Sequence, residues 1–527
     1  MEIQTTDARP PVVVVMGHID HGKSTLLDYI RKTNVVDKEV GGITQRMSSY
    51  EVVHKSIDAN GKEASKTIVF IDTPGHESFS AIRARGATAA DIAILVVSSA
   101  EDGVKPQTLD ALKAIKDAGL SYIVGISKID KPNADIDRVK LSLAENEIYV
   151  EGYGGNIPWV AFSGKSGVGV DELLDLILLT AEVDEIIGDP FTDAECIVIE
   201  ANRDKVRGVS ATLIVKNGTL YTGSFIVSGT ALSPVRIMEN FLGKALKEAG
   251  PSTPVRVVGW TDEPEVGGVC FTFGSKKSAE IYIEDEMLKV KERNEALEKV
   301  RKSDKITAAN KASALAFENG EEIIQTVTIP VIIKADTSGS AEAVVYEIKN
   351  KISVPNVEIR IVAMSIGDIL ENDIKLACGK EGTVVLGFNT KIDNSAKGMA
   401  ERNGIHIMTF DIIYKMTEWL QAFAEENRPR TQIEESKGMI KVLKIFSVNK
   451  DKQVLGGRVE VGTISFNDEV KILRRDIEIG RGRVRELQHH KEKTSTVEEG
   501  LEFGSMVESK IEITAGDKLE AVQKVIK

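Results

Sequence analysis

Cysteine is scarce: the chain of 527 residues has three, at Cys196, Cys270 and Cys378. They lie far apart and share no metal-ligand spacing. That excludes a zinc ribbon or a disulfide framework and leaves reduced core thiols as the expectation. Long apolar runs are missing too. None reaches the roughly 18–20 residues that a membrane-spanning helix needs, so no membrane contact is expected. The opening MEIQTTDARPP has neither the basic-then-apolar order of a secretory leader nor the Arg-rich pattern of a transit peptide. The expected location is the cytoplasm. Net positive charge is also absent: 67 Lys/Arg stand against 80 Asp/Glu, a formal charge of −13. This argues against indiscriminate nucleic-acid binding. No low-complexity tract is visible.

The chain is too long for one ordinary core, and three to five domains are the expectation. The spread of charge is uneven. Between Lys437 and Ser495 there are 14 Lys/Arg against 8 Asp/Glu, a surplus of +6 on an otherwise acidic chain. A basic module on an acidic body suggests one local contact with RNA. A solvated charged face explains the same count.

The fold class expected is multidomain α/β. In residues 1–188, the apolar runs VVVVM (12–16), TIVFI (67–71), IAILVV (92–97), YIVGI (122–126) and PWVAF (158–162) alternate with amphipathic stretches, which predicts a doubly wound parallel sheet. Residues 189–282 carry short strands broken by Asn-Gly, Thr-Gly and Pro turns, a β-barrel pattern. Residues 283–325 read as a mostly exposed helical linker and 326–410 as a second α/β domain. A connecting helix falls within 411–436, and 437–527 reads as a second barrel.

Gly17-His18-Ile19-Asp20-His21-Gly22-Lys23-Ser24 follows an apolar strand and precedes a helical pattern, the setting of a phosphate loop. Backbone N–H groups and the helix N-terminus would face the phosphates, with Asp20, His21, Gly22 and Thr25 in the loop. Lys23 would neutralise the β- and γ-phosphates, and the Ser24 hydroxyl would bind Mg²⁺. Asp72-Thr73-Pro74-Gly75-His76 ends the next apolar strand. There Asp72 would hold Mg²⁺ through water, and the Gly75 N–H would meet the γ-phosphate. Thr44, in the glycine-flanked GGITQR, would close over metal and γ-phosphate. Ser127-Lys128-Ile129-Asp130 is placed to read the base. Asp130 accepts the two hydrogens that guanine offers and adenine does not, while the Lys128 stem lies on the ring. Ser163-Gly164-Lys165 would present a backbone N–H to guanine O6. GTP or GDP with Mg²⁺ is the expected ligand set.

The segments GHIDHGKST, GGITQR, DTPGHESF, ADIAILVV, EDGVKPQT and SKIDKPNA resemble the translational GTPases. The likeness to bacterial-type translation initiation factor two continues through VRGVSATLIVKNGTL, EAGPSTPVRVVG, IIKADTSGSAEAV and IGDILENDIKLA, and it weakens in the last barrel. The resemblance implies a ribosome-activated GTPase. It implies His76 as the residue that orients the attacking water, Ile19 and Ile43 as an apolar gate, and Asp20 beside the phosphates. Both ribosomal subunits, formylmethionyl initiator tRNA and other initiation factors are the implied partners of a monomer. A divergent elongation or specialised tRNA-delivery GTPase, or a nucleotide-gated tRNA binder with little turnover, are the alternatives.

Two positions depart from the family. Ser127 stands where Asn is usual, and the shorter side chain implies one lost hydrogen bond between base and phosphate loop. In the last barrel Glu502-Phe503-Gly504 stands for Glu-Cys-Gly, and Phe503 implies an enlarged side chain in the amino-acid pocket. Arg474, Arg475, Arg481, Arg483 and Arg485 complete the expected tRNA-binding set. The alternation of the last three would put them on one strand face.

Overall fold

The structure, a computed structural model, describes residues 7–527 except 33–43, 45–46, 58–62, 102, 205, 290, 293–326, 429–431, 491 and 527. It divides into two compact units, Met1–Asn427 and Arg428–Lys527.

The first unit begins with a six-stranded sheet. Its strands are β1 (Val12–Gly17), β2 (Ser48–Ile57), β3 (Glu63–Asp72), β4 (Ile92–Ser98), β5 (Ser121–Ser127) and β6 (Trp159–Ala161), in the order β2-β3-β1-β4-β5-β6. Five are parallel. The edge strand β2 runs antiparallel to β3 and was not expected from the sequence, because SSYEVVHKSI is too polar to stand out as a buried run. β1 is fully buried, and its alternate residues serve two faces. Val13 and Val15 pack with Leu26, Leu27, Leu173 and Ile177; Val12, Val14 and Met16 pack with Ile82, Ala111 and Ile115. The helices that supply these partners are α1 (Lys23–Arg31), α2 (Ser80–Ala89), α3 (Pro106–Asp117) and α5 (Val170–Val183); α4 (Ile136–Glu145) adds Val139 and Leu143 to the core that holds Val12 and Val14.

An antiparallel β module follows: β7 (Glu195–Asp204), β8 (Gly208–Asn217), β9 (Phe225–Ser228), β10 (Ala231–Pro234), β11 (Ile237–Glu239), β12 (Pro254–Trp260) and β13 (Val269–Phe273), in the order β10-β9-β13-β7-β8-β12-β11. Residues 276–289 are helical. Ala279 and Ile283 of this helix are buried against Val227 and Leu232, so its start belongs to the module rather than to a free linker. Most of the helical linker expected over 283–325 lies outside the described residues.

A four-stranded parallel sheet comes next: β14 (Val327–Ala335), β15 (Val357–Ile366), β16 (Val384–Phe388) and β17 (His406–Phe410), in the order β15-β14-β16-β17. Its helices are α6 (Ser338–Lys351), α7 (Glu371–Ala377) and α8 (Asn394–Asn403). The helix α9 (Ile413–Glu426) is not a bare connector. It buries Ile413, Met416, Leu420 and Ala424, a helical repeat of apolar positions, in a core shared with Val331, Val344 and Phe388. That same core reaches Phe79 and Ile82 of the first domain and Ile199 and Ile214 of the β module. The three domains therefore pack as one unit.

The second unit is a closed barrel. Its strands are β18 (Gln432–Asn449), β19 (Lys452–Ser465), β20 (Glu469–Arg474), β21 (Ile477–His489), β22 (Thr496–Glu498), β23 (Glu502–Ser509) and β24 (Lys518–Ile526). The path β18-β24-β20-β21-β23-β19 closes through a β18–β19 pairing. β18 starts at Gln432, ahead of the boundary at 437 expected from composition, and α9 ends at Glu426.

Candidate functional site

The loop after β1 has a backbone few residues tolerate. Gly17 has φ 145°, and a Cβ there would lie 2.4 Å from the Val96 carbonyl oxygen. Asp20 sits at φ 64°, unusual for a side chain-bearing residue. Gly22 at φ 87° forms the N-cap of α1, which starts at Lys23. Lys23 Nζ donates to the carbonyls of Gly17 at 3.0 Å and His18 at 2.6 Å. Burial lowers its pKa to about 8, against the opposing pull of Asp72. His21 is fully buried, its Nδ1 lies 3.3 Å from the Val96 carbonyl, and burial brings its pKa down to about 4. His21 therefore enters the loop through its backbone.

A cavity of about 310 Å³ gathers Ile19, Asp20, Gly22, Lys23, Ser24, Thr25, Thr44, Gly75, His76 and Lys128. The Ser24 and Thr44 hydroxyls lie 2.9 Å apart on its wall. Asp72 is 3% exposed at the end of β3, 3.7 Å from Arg31 Nη2. The two converging hydroxyls are oxygen donors of the kind that suits a hard cation such as Mg²⁺, and Asp72 is not among the residues that line the cavity. Gly75 comes close to the loop: a Cβ there would meet Lys23 Nζ at 2.7 Å and Ile19 Cγ1 at 3.3 Å. Ile19 is thus packed beside Gly75. Its expected gate partner, Ile43, lies outside the described residues.

On the base side Ser127 makes one of the two links that the longer Asn would span. Its hydroxyl does reach the phosphate loop, donating to the His21 carbonyl at 2.5 Å. The backbone of β5 stands close enough for a short side chain. Lys128 has φ 61° and pairs with Glu101 at 2.6 Å. The Asp130 carboxylate is exposed and accepts from Ser163 Oγ at 2.7 Å, a hydrogen bond that holds its pKa below the usual value. Gly164 lies against the start of α1, where a Cβ would be 2.8 Å from the Leu26 nitrogen, and Lys165 is exposed. Asp130, Ser163, Gly164 and Lys165 form one loop cluster next to this cavity wall but are not among the residues that line it. Sequence reasoning missed Glu101, which holds Lys128, and Gln107, whose Oε1 accepts from the Ile19 N–H at 3.1 Å. Both lie in the EDGVKPQT segment, which carried the family likeness but suggested no role for either.

His76 is 5% exposed and caps a short 3-10 turn, Glu77–Phe79. Its Nδ1 lies 2.5 Å from Ser78 Oγ, and its ring meets that of Tyr414 edge-on at 4.6 Å. Burial lowers its pKa, with the Glu347 charge opposing. The fully buried Arg83 donates to the carbonyls of Pro74 (3.3 Å) and His76, fixing the turn that carries Gly75.

In the final barrel the expected tRNA set divides. Glu502, Phe503 and Gly504 line a cavity of about 740 Å³ together with Lys444, Phe446, Gly456, Gly457, Arg458, His489 and His490. Phe503 is 5% exposed and belongs to the barrel core, so its bulk points inward and does not fill the cavity. Arg474, Arg475, Arg481, Arg483 and Arg485 are not on that wall. Arg474 is tied to the buried Asp517 at 2.9 Å, and Arg475 sits in the turn between β20 and β21 at φ 53°. Arg481, Arg483 and Arg485 are all exposed on β21, but each faces a carboxylate: Glu478 at 3.0 Å, Glu469 at 3.7 Å and Glu508 at 2.6 Å. The charge count could not show this pairing. Phe446, 64% exposed, and the edge-on pair His489–His490, with ring centroids 4.1 Å apart, went unnoticed because no motif marks them.

The fold and the first site define a phosphate-loop nucleotide-binding protein built on the domain plan of the translation factors. Three family models match in sequence: Elongation factor Tu GTP binding domain over residues 9–182, Elongation factor G domain 2 over 193–272, and Translation-initiation factor 2 over 301–421. Translation initiation factor IF-2 of Bacillus licheniformis is 40% identical over 98% of this chain and 69% of its own length. The protein of the same name from Nitratiruptor sp. is 40% identical over 98% of this chain and 59% of its own. The chain belongs to the translation initiation factor 2 family. It spans 59% and 69% of the length of these two relatives. A solved structure of GDP-bound aIF5B from Aeropyrum pernix covers 98% of this chain and 92% of its own, at a TM-score of 0.45 and 24% identity. No helix among the described residues is long and apolar enough to cross a membrane.

Proposed function

We propose that the chain is a GTPase of translation initiation, activated by the ribosome, that binds formylmethionyl initiator tRNA through its final barrel and promotes subunit joining in the cytoplasm. The observation that carries this reading is the meeting of Lys23, Ser24, Thr44, Gly75, His76 and Lys128 around one cavity, from four separate stretches of chain.

The backbone of residues 20–25 and the N-terminus of α1 would cradle the phosphates, and Lys23 would leave its carbonyl partners for the β- and γ-oxygens. The Ser24 and Thr44 hydroxyls would hold Mg²⁺, with Asp72 behind a water; bound there, the ion supplies positive charge at the phosphate oxygens. Asp130 would accept from guanine, its geometry fixed by Ser163. His76 would orient the water that attacks the γ-phosphorus as the bond to the β-phosphate oxygen breaks. Most of the stabilisation comes from positioning and charge, as in phosphoryl transfer generally. In the final barrel, the cavity bordered by Lys444, Phe446, Arg458 and His489 would receive the aminoacyl end of the tRNA. The exposed arginines of β21 would exchange their carboxylate partners for phosphates, since exposed ion pairs are worth little.

The test is phosphate release with and without ribosomes, joined to filter binding of formylated initiator, unformylated initiator and elongator aminoacyl-tRNAs in GTP. Ribosome-stimulated release and preference for the formylated initiator are expected. Preference for another aminoacyl-tRNA would move the protein to tRNA delivery. Absence of stimulated release would leave a nucleotide-gated binder.

A further inference from the structure

His76 lines the nucleotide cavity, yet the group that governs its ring comes from another domain. Ser78 Oγ, 2.5 Å from His76 Nδ1, donates to Glu347 Oε1 on α6, 269 positions away in sequence. Glu347 is 2% exposed, and its second oxygen accepts from Thr417 Oγ1 of α9 at 3.1 Å. Tyr414, also on α9, packs on the ring. The ring's other nitrogen, Nε2, has no hydrogen bond among the described residues.

A serine hydroxyl has one proton to give. If Glu347 takes it, the Ser78 oxygen is left to accept, and His76 Nδ1 must carry the hydrogen. The neutral ring then keeps its lone pair on Nε2. The Ser78 N–H lies 3.1 Å from Nδ1 and pulls the other way, toward an unprotonated Nδ1 and a proton on Nε2. The carboxylate decides between these two opposed pulls. A water about to lose a proton needs an acceptor, so only the lone pair on Nε2 can orient it as a base would.

We propose that Glu347 is a positioning residue for His76: acting through Ser78, it selects the ring tautomer whose Nε2 can accept from the attacking water. The hydrolytic site is then complete only while the second α/β domain and α9 are docked on the turn that carries His76. This rests on the role of His76 proposed above.

The experiment uses the full chain labelled with ¹⁵N-histidine. Seven histidines keep the spectrum tractable, and His76→Gln identifies the signal. At about pH 8, above the lowered pKa of His76, the parent should show Nδ1 protonated and Nε2 bare. Glu347→Met and Ser78→Ala should each move the proton to Nε2, and Ser78→Thr should not. Ribosome-stimulated turnover should fall on the order of 10- to 100-fold in the first two, as for a misplaced catalytic group, with GTP Kd within about twofold. The double variant should be no worse than the worse single one, because both break one relay. Unchanged tautomer and turnover in Ser78→Ala, whose fold is least at risk, would overturn the proposal even if Glu347→Met failed to fold. If His76→Gln itself kept parental turnover, the hydrolytic role would fail, and the proposal with it. If His76→Gln were inactive while Ser78→Ala and Glu347→Met stayed parental, the relay alone would fail.

Discussion

Replacing Asp91 with Ala is expected to weaken two domains at once. Its carboxylate accepts from Arg9 Nη1 and Nη2 at 2.7 Å each, from Lys216 Nζ at 2.6 Å and from the Val12 N–H at 2.9 Å. Val12 opens β1, whereas Lys216 lies on β8 of the middle module. The side chains of Arg9 and Asp91 are 10% exposed and that of Lys216 20%. Removing the carboxylate leaves two shielded cations without their counter-charge, Arg9 keeping Ser252 Oγ and the Pro10 carbonyl and Lys216 the Ala89 and Ala90 carbonyls, and it takes the acceptor from the Val12 N–H. Breaking one side of such a pair costs about 3–5 kcal/mol, a figure that already contains its hydrogen bonds. Asp91→Asn keeps the shape and part of the accepting capacity, so about 1–3 kcal/mol is expected.

The three tryptophans supply the assay: Trp159 on β6, Trp260 on β12 and Trp419 on α9. In single-tryptophan backgrounds, urea unfolding followed by fluorescence should show the Trp159 and Trp260 transitions of Asp91→Ala moving together to lower urea. With a slope of about 1–3 kcal/mol per M, a loss of about 3 kcal/mol shifts the midpoint by about 1–3 M. A shift below about 0.3 M, or one confined to Trp159, would refute the reasoning. Acid gives a second check. Burial opposes ionisation of Asp91, but the Arg9 hydrogen bonds and the Lys216 charge outweigh it and hold the pKa below 3.8. Such a carboxylate contributes fully above its unfolded pKa and loses the contribution as pH falls through its folded one. The gap between parent and Asp91→Asn should therefore hold near neutral pH and close only below about 3.8.

Four further outcomes are expected. Lys23→Ala should weaken GTP binding, whereas His76→Ala should spare it and lower ribosome-stimulated turnover by roughly 10²-fold or more; single-turnover assays at saturating GTP separate the two. Asp130→Asn should shift preference from guanine toward xanthine nucleotides, and calorimetry showing unchanged GTP preference would count against the base contact. Ser127→Asn should weaken guanine-nucleotide binding, because Ser127 is 2% exposed and already bonded to His21, and overpacking costs about 1–3 kcal/mol; a tighter Kd would show that the loop had room. Arg458→Ala and Phe446→Ala in the full chain should weaken binding of aminoacylated initiator tRNA more than of its deacylated form, and equal losses by filter binding would remove the cavity from aminoacyl recognition.

The parts legible in sequence are those whose chemistry is local. The phosphate loop, the DTPGH turn and the SKID loop each need a few residues at fixed spacing beside a strand end, and spacing survives in one dimension. The edge strand β2 was not legible because its alternation is polar, and β3, not its own composition, recruits it. Ser127 was read by length alone, and length cannot reveal how near β5 runs to the His21 carbonyl. Phe503 lines the cavity where the analogy placed it, but the analogy could not show that its ring is also packed into the barrel core. The arginines of β21 look like a basic stripe until Glu469, Glu478 and Glu508 come beside them from other strand positions. The tie from Glu347 to His76 spans two domains, and no local pattern encodes it.

The three cysteines do not share one environment. Cys196 and Cys270 face each other in register on β7 and β13, both buried; burial pushes the Cys196 thiol well up and Cys270 to about 12. Cys378, at the C-terminus of α7, is exposed and is not the core thiol expected. Thiolate, not thiol, attacks a maleimide. A dye offered to the native chain at neutral pH should therefore couple once, at Cys378, without any engineered residue. A fluorophore attached there reports on the second α/β domain alone. Opening of the middle β module would raise the coupling ratio from one dye to three, so the count of dyes per chain becomes a direct measure of that module's unfolding.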